Sequence, residues 1–126
     1  MRIYKEFAFE AAHSLPPEVA GTEKTYGRLH GHSYRVRITL DGEPDAETGL
    51  VVPFETFEKA LRSARKRLDH SFLNEDIEGL GPPTLENIAR WLWRALETDL
   101  PGLAEVAVAR DTCQEGCVYA GPAPKS

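Results

Sequence analysis

The segment from Ser33 to Asp41 constrains the fold more than any other part of this 126-residue chain. Apolar and polar residues alternate along it, with Tyr34, Val36, Ile38 and Leu40 set between Arg35, Arg37 and Thr39. Successive side chains of an extended strand point to opposite faces, so this period of two predicts a strand with one apolar face and one polar face. A chain that contains such a strand has to build a sheet and cover one side of it.

Four further segments are predicted to join this sheet. Residues 3–9 also alternate, in a strand that ends near His13 and whose mixed faces indicate cover by another subunit. Residues 50–52 form a short β-prone run. Residues 105–110 and 116–120, joined by a turn-like segment, predict a hairpin near the end of the chain.

Two amphipathic helices are predicted between these strands. Apolar residues recur at spacings of three and four in both, as Phe54, Phe57, Leu61, Ala64 and Leu68, and as Leu85, Ile88, Ala89, Leu92 and Leu96. Thr84 precedes the second stripe as a suitable N-cap, and Pro101 follows it. The order of elements predicts an α+β domain in which two helices pack on one face of an antiparallel sheet.

The length of the chain predicts a single domain, which we assign to residues 1–121 with a loose tail at 122–126. Pro, Gly, Thr, Glu and Lys dominate from Pro16 to Gly27 without periodicity, so this segment is predicted to be a loop. Long loops in compact domains are often functional.

Composition excludes some functional classes. The net charge of −5 and the pI near 5.4 argue against a general nucleic-acid surface. No apolar run approaches the roughly 20 residues needed to span a bilayer, and charges occupy the N-terminus where a secretory signal is apolar. We therefore expect a cytoplasmic protein, with Cys113 and Cys117 as reduced thiols.

Three of the four histidines lie near the ends of the two long strands. His30 and His32 are two residues apart, so both imidazoles point to one side, and an antiparallel neighbour would bring His13 alongside. Three neutral nitrogen ligands with an open fourth position are typical of catalytic zinc. Spacing alone leaves a second interpretation open, in which these are ordinary strand or core histidines bonded to the backbone.

The fourth histidine follows the first predicted helix as the pair Asp69-His70. A carboxylate beside an imidazole can orient the ring and raise its pKa, and such pairs transfer protons. The spacing equally fits a helix C-terminus at which a histidine favours the helix dipole and Asp69 meets solvent.

Five motifs in order resemble one known family. They are residues 9–15 (FEAAHSL), 27–34 (GRLHGHSY), 68–70 (LDH), 83–87 (PTLEN), and 111–113 (DTC) with 116–119 (GCVY). They are similar to the 6-pyruvoyl-tetrahydropterin synthases and the related bacterial 6-carboxy-tetrahydropterin synthases of queuosine biosynthesis. The resemblance covers nearly the whole chain. It implies a tunnelling fold whose sheets join into a barrel in the oligomer, usually a homo-hexamer of two stacked trimers with sites between subunits.

The resemblance also implies roles for individual residues. His13, His30 and His32 correspond to the Zn²⁺ ligands, and Asp69 and His70 to the catalytic pair. Asp111 corresponds to the acidic residue that grips the amino-pyrimidine edge of the pterin, although the family more often has Glu there. Thr84 and Glu86 match a segment that lines the same pocket, while capping the second helix would explain these two residues equally well.

The implied reaction is a lyase reaction on 7,8-dihydroneopterin triphosphate that yields 6-carboxy-tetrahydropterin or 6-pyruvoyl-tetrahydropterin. In this chemistry the metal polarises side-chain oxygens of the substrate so that neighbouring protons become removable. The segment with Cys113 and Cys117 is more similar to the carboxy branch.

One position departs from the family pattern. The family places its catalytic cysteine four residues before the first histidine of His-Gly-His, and this chain has Tyr26 there. Two alternatives follow: a non-catalytic zinc and pterin binder, or an enzyme with altered side-chain cleavage. The second alternative is expected to have a glutamate in place of the cysteine, and Glu23 is close but out of register.

Overall fold

The computed structural model describes residues 1–21 and 24–123. These residues fold into a five-stranded sheet with helices on one face. The strands, in chain order, are β1 (Arg2–His13), β2 (His30–Asp41), β3 (Ser71–Phe72), β4 (Leu103–Arg110) and β5 (Glu115–Tyr119). Their spatial order is β3-β1-β2-β4-β5. The pairs β1–β2, β2–β4 and β4–β5 are antiparallel, whereas β3 pairs parallel to β1.

Two of the helices are long enough to cover the sheet. The helices are α1 (Pro17–Ala20), α2 (Lys24–Gly27), α3 (Phe54–Leu68), α4 (Leu73–Asp76) and α5 (Leu85–Leu96). α3 packs on β1, α5 packs on β4 and β5, and the two helices also contact each other. The predicted α+β architecture, with two helices on one face, is confirmed.

The core lies between these two helices and one face of the sheet. Tyr34, Val36, Ile38 and Leu40 on β2 are each at most 2% exposed. The apolar stripes predicted for both helices are buried against them. The exception is Phe54, predicted to belong to the first stripe, which lies at the start of α3 and is 72% exposed. Burial of each Val, Leu, Ile or Phe side chain in this core stabilises the fold by about 1.5–3 kcal/mol. The opposite face of the sheet, which we call the open face, carries Glu6, Arg35 and Arg37.

The pairing of β1 with β2 is regular over its whole length. It runs without interruption from Arg2 opposite Asp41 to His13 opposite His30. Residues that face each other across such a ladder lie on the same side of the sheet, and a slip of one residue would move every side chain to the other side. The register therefore fixes which residues meet at the end of the sheet.

The sheet differs from the predicted antiparallel arrangement at one edge. After α3 the chain turns at His70, whose φ is 58°, and Ser71 and Phe72 then pair parallel to Ala11 and Ala12. A two-residue strand has no periodicity for the sequence to reveal. It ties the segment after α3 to β1.

The short strand predicted at residues 50–52 is also absent. The Asp45 carboxylate accepts hydrogen bonds from the backbone N–H groups of Glu47 and Thr48, and Asp45 N–H donates to the Leu50 carbonyl. These local bonds close the loop on itself, so residues 50–52 have no strand partner. Val52 instead packs against the core.

Other differences concern the ends of elements. The predicted loop from Pro16 to Gly27 contains α1 and α2, with residues 22 and 23 outside the described part. β2 begins at His30 instead of Ser33, β4 begins at Leu103, and the last hairpin turns through a 3₁₀ helix at Asp111–Cys113. Residues 124–126 of the predicted tail also lie outside the described part. Within the described residues, no helix is both long and apolar enough to cross a membrane.

Candidate metal centre and its cavities

The register of β1 and β2 brings three imidazoles together. His13 lies directly opposite His30, and His32, two residues further along β2, points to the same side. One ring nitrogen from each histidine lies within 4.8 Å of the other two. His13 is fully buried, and His30 and His32 are partly buried. These three histidines could hold a metal ion.

The hydrogen bonds of the rings select the nitrogen that is free to bind a metal. His13 Nδ1 lies 2.9 Å from the Pro83 carbonyl, and His30 Nδ1 lies 2.7 Å from the Arg28 carbonyl. A carbonyl only accepts, so both Nδ1 atoms must donate, which leaves both Nε2 atoms with a lone pair. These two Nε2 atoms are 2.9 Å apart.

This arrangement fits a cation. Two unprotonated nitrogens at that separation repel each other unless a proton or a cation lies between them. The Nε2 atom of His32 is buried and has no hydrogen-bond partner, which is costly for a polar atom that is left alone. A metal bound by the three Nε2 atoms would satisfy all of them.

Burial favours the neutral form of two of the three histidines. Loss of solvent lowers the pKa of His13, and it lowers the pKa of His32 to about 4, with further contributions from His13, Arg110 and His30. Two of the histidines are thus unprotonated near pH 7. Metal binding requires that form of imidazole.

Sequence reasoning missed Arg110, which lies beside the cluster. It forms an ion pair with Glu115, and its Nε atom is buried without a partner. The Tyr34 hydroxyl is likewise buried and unpartnered, and burial raises its pKa to about 12. The signal was available, because Arg110 continues the alternation of Val106 and Val108 onto the covered face of β4.

The pair Asp69-His70 is held in place by neighbouring groups. Asp69 Oδ1 accepts a 2.9 Å hydrogen bond from the Glu10 N–H, which holds the pKa of this carboxyl below its usual range. Asp69 Oδ2 lies 3.7 Å from His70 Nε2 and 3.3 Å from Arg65 Nη2. Arg65 was not singled out from the sequence. The His70 side chain is 81% exposed, and His70 N–H donates to the Glu10 carbonyl.

Three cavities surround the histidine cluster and contain most of the predicted site residues. One of about 490 Å³ is lined by His32 and His70, and a second of about 410 Å³ by His30, His32 and Tyr26. A third of about 550 Å³ is lined by His13, Thr84 and Glu86. The ligand candidates and the proton-transfer candidate therefore share accessible space.

Two of the predicted residues, Thr84 and Asp111, also have contacts away from the histidine rings. Thr84 Oγ1 accepts a hydrogen bond from Asn87 N–H at 3.2 Å, so its predicted capping role is confirmed. Asp111 lies on the open face, where it is bound by Arg35, and it lines none of the three cavities.

The two cysteines are free thiols. Cys113 Sγ lies 3.9 Å from His32 Nδ1, and Cys117 Sγ donates to the Leu85 carbonyl at 3.3 Å. Burial raises the pKa of the Cys117 thiol. Glu23, one position considered for an alternative base, lies outside the described residues.

Fold and site together define an α+β domain with a three-histidine candidate metal centre at the end of its sheet. A family model described as 6-pyruvoyl tetrahydropterin synthase matches residues 2–122. The chain therefore belongs to the 6-pyruvoyl tetrahydropterin synthase family, as its motifs predicted.

Individual relatives agree with this assignment. The chain is 40% identical to the 6-carboxy-5,6,7,8-tetrahydropterin synthase of Synechocystis, over 95% of the chain and 93% of that protein. It is 32% identical to the dihydroneopterin monophosphate aldolase of Pyrococcus furiosus, over 91% and 90%. The structure of Caenorhabditis elegans 6-pyruvoyl tetrahydropterin synthase shares the fold, with a TM-score of 0.86, 24% identity and coverage of 97% and 96%. The prediction of a synthase-like lyase is confirmed at the level of the family.

Proposed function

We propose that this chain is a zinc-dependent lyase that converts 7,8-dihydroneopterin triphosphate, or a related 6-substituted pterin, to 6-carboxy-tetrahydropterin in queuosine biosynthesis. The observation that carries the proposal is the convergence of ring nitrogens from His13, His30 and His32, with the Nδ1 atoms of His13 and His30 fixed by backbone carbonyls. The 40% identity to a protein named 6-carboxy-5,6,7,8-tetrahydropterin synthase supports this branch over the 6-pyruvoyl branch.

His13, His30 and His32 would hold the zinc ion. Bound zinc supplies Lewis-acid polarisation of the oxygens on the pterin side chain. Three histidines leave a position open for those oxygens, as is usual for catalytic zinc. The cavities that meet at the cluster offer the substrate access to that position.

His70 would move the proton. Its exposed imidazole lines the same cavity as His32, and Asp69 lies beside its Nε2 atom. The lowered pKa of Asp69 keeps that carboxylate ionised, so it can orient the ring and stabilise an imidazolium. Tyr26, at the position of the family cysteine, lines the cavity with His30 and is the second candidate for proton transfer.

The pterin ring would be held by groups further from the cluster. Asp111 would accept two parallel N–H bonds from the amino-pyrimidine edge, and Thr84 and Glu86 would line the remainder of the pocket. These groups lie on different sides of one subunit. Their separation favours a site completed by a neighbouring subunit.

A homo-hexamer built from two trimers would provide that neighbour. The open face of the sheet leaves Tyr4 60% and Val118 66% exposed, which supports closure of several sheets into a barrel. We also propose that the enzyme works in the cytoplasm.

Two observations support alternative functions. The 32% identity to a protein named dihydroneopterin monophosphate aldolase supports altered cleavage of the pterin side chain. Tyr26 in place of the family cysteine supports a zinc and pterin binder without turnover. All three functions use the same histidine cluster, so they are distinguished by whether a product forms and by which product it is.

The test is incubation of zinc-loaded protein with 7,8-dihydroneopterin triphosphate and identification of products by mass spectrometry. We expect 6-carboxy-tetrahydropterin from the wild type and loss of turnover in His70→Ala. Glu75→Gln, on the exposed surface of α4, is the matched control and should retain the wild-type rate. Hydroxymethyl-dihydropterin as product would instead establish side-chain cleavage.

Absence of turnover in the wild type would also be informative. If Tyr26→Cys then turns over the substrate, the wild type is a pterin binder that lacks catalysis because of this one residue. If zinc-loaded wild type neither turns over nor binds any dihydropterin, the proposed function is wrong.

A further inference from the structure

The carboxylate of Asp111 is already bound by a guanidinium group within the chain. Arg35 Nε lies 3.0 Å from Asp111 Oδ2, and Arg35 Nη2 lies 3.1 Å from Asp111 Oδ1. These are two parallel N–H···O bonds between a planar donor fork and both oxygens of one carboxylate. The pairing holds the pKa of the Asp111 carboxyl below its usual range.

The guanidinium fork has the same donor geometry as the edge of a pterin ring. In the 2-amino-pyrimidinone part of a pterin, a ring N–H and an exocyclic amino group are attached to one carbon. That N–C–N unit presents two parallel N–H donors, as a guanidinium does. Both partners therefore require the same edge of the carboxylate, and only one of them can occupy it.

We propose that Arg35 competes with the pterin ring for Asp111 and thereby sets the affinity of the site for 2-amino-pyrimidinone compounds. This inference rests on the proposed function, in which Asp111 is the residue that binds the pterin edge. It adds an internal competitor that the ligand must displace.

Arg35 can leave Asp111 without losing every partner. Its Nη1 atom also donates to Glu6 Oε2 at 2.9 Å, so a carboxylate remains beside the displaced guanidinium. The Arg35 and Asp111 side chains are 44% and 64% exposed, which keeps their ion pair weak enough to exchange. From the strength of exposed ion pairs, the competition should weaken ligand binding by about twofold to fivefold.

The test compares Arg35→Met with Arg37→Met. Arg37 is the matched control, because it lies two residues along the same face of β2 and also donates to Glu6 Oε2, at 3.0 Å, but does not contact Asp111. The probe is 7,8-dihydroneopterin, whose lack of phosphates removes any general attraction to arginine. Its dissociation constant should fall by about twofold to fivefold in Arg35→Met and stay unchanged in Arg37→Met.

A conservative variant tests whether a change in affinity comes from the lost donor fork or from misfolding. Arg35→Lys keeps the charge but lacks the donor fork, so its dissociation constant should lie between those of the wild type and Arg35→Met. Equal or weaker binding in both Arg35 variants than in the wild type would overturn the inference.

A second measurement does not depend on pterin binding. The Asp111 carboxyl, followed by carbon NMR, should titrate at a higher pH in Arg35→Met than in the wild type. An unchanged titration would show that Arg35 does not hold Asp111 in solution, and would overturn the inference alone. If the titration shifts but no form of the protein binds dihydropterins, the proposed function has failed and the competition has no ligand.

Discussion

The two faces of the sheet hold their polar groups in opposite ways. On the covered face, His13 is fully buried and its Nδ1 atom is fixed by a backbone carbonyl. On the open face, Glu6, Arg35, Arg37 and Asp111 are partly exposed and bind one another. The covered face thus fixes one geometry, whereas the open face offers ion pairs that can exchange partners.

Physical differences between these environments explain the contrast. Buried polar atoms that lose a partner are strongly disfavoured, so the histidine rings have little freedom. Exposed ion pairs are individually weak and are screened by salt. The same sheet can therefore keep the candidate metal centre rigid and leave the Asp111 carboxylate free to exchange partners. Four measurements would break or sharpen this comparison.

The largest expected effect comes from neighbouring residues on β2 that point to opposite faces. Ile38 is completely buried, so Ile38→Ala should lower the free energy of unfolding by about 2–5 kcal/mol. Arg37→Ala should lower it by less than about 1 kcal/mol, because an exposed ion pair contributes little. Urea denaturation measures both, and similar losses in the two variants would contradict the contrast between faces.

The second prediction concerns the histidine cluster. His30→Ala removes one of three proposed ligands, so zinc affinity should fall by more than the roughly 10–100-fold typical of losing a group that only orients a ligand. Competition with a chromophoric chelator would measure it. His70→Ala is the control and should retain zinc. Full zinc retention by His30→Ala would rule out the proposed site.

The third prediction concerns acid. The pKa of His32 falls from its ordinary 6.5 to about 4 on folding, and that of His13 is also lowered, so the unfolded chain binds protons more readily. The stability of metal-free protein should therefore be fully present above pH 6.5 and decline as the pH falls from 6.5 towards 4. The slope should be at most about 1.4 kcal/mol per pH unit for each histidine. Urea midpoints across this range, compared with those of His32→Gln, test it; equal slopes would contradict it.

The smallest effect is expected at the start of α5. Thr84→Ala removes the hydroxyl that accepts the Asn87 N–H, which should lower the free energy of unfolding by about 1 kcal/mol. Thr84→Ser should retain most of the stability. Dihydropterin affinity measured on the same variants separates capping from binding, since a residue that only caps would leave it unchanged.

The covered face could be predicted from the sequence because burial imposes periodicity. The alternation from Tyr34 to Leu40 and the helical stripes led directly to β2, α3 and α5. The grouping of His13, His30 and His32 followed from the same reasoning, because residues two apart on a strand share a side. Local rules were sufficient there.

The open face and the sheet edge could not be predicted in the same way. The bonds of Arg35 to Asp111 depend on the register between β2 and β4, which alternation alone does not reveal. The parallel β3 pairs with Ala11 and Ala12 next to a hydrogen bond from the His70 N–H to the Glu10 carbonyl, and these two residues are far apart in the chain. The absent strand at residues 50–52 was lost to the turn at Asp45, whose side chain bonds the local backbone.

The uninterrupted pairing of β1 with β2 also limits how such a chain can change in length. Glu10 anchors His70 and Asp69, and His13 stands three residues further along the same strand. Deleting one residue between them would turn His13 to the open face and leave His30 without its neighbour. Insertions and deletions within either strand should therefore disrupt the histidine cluster.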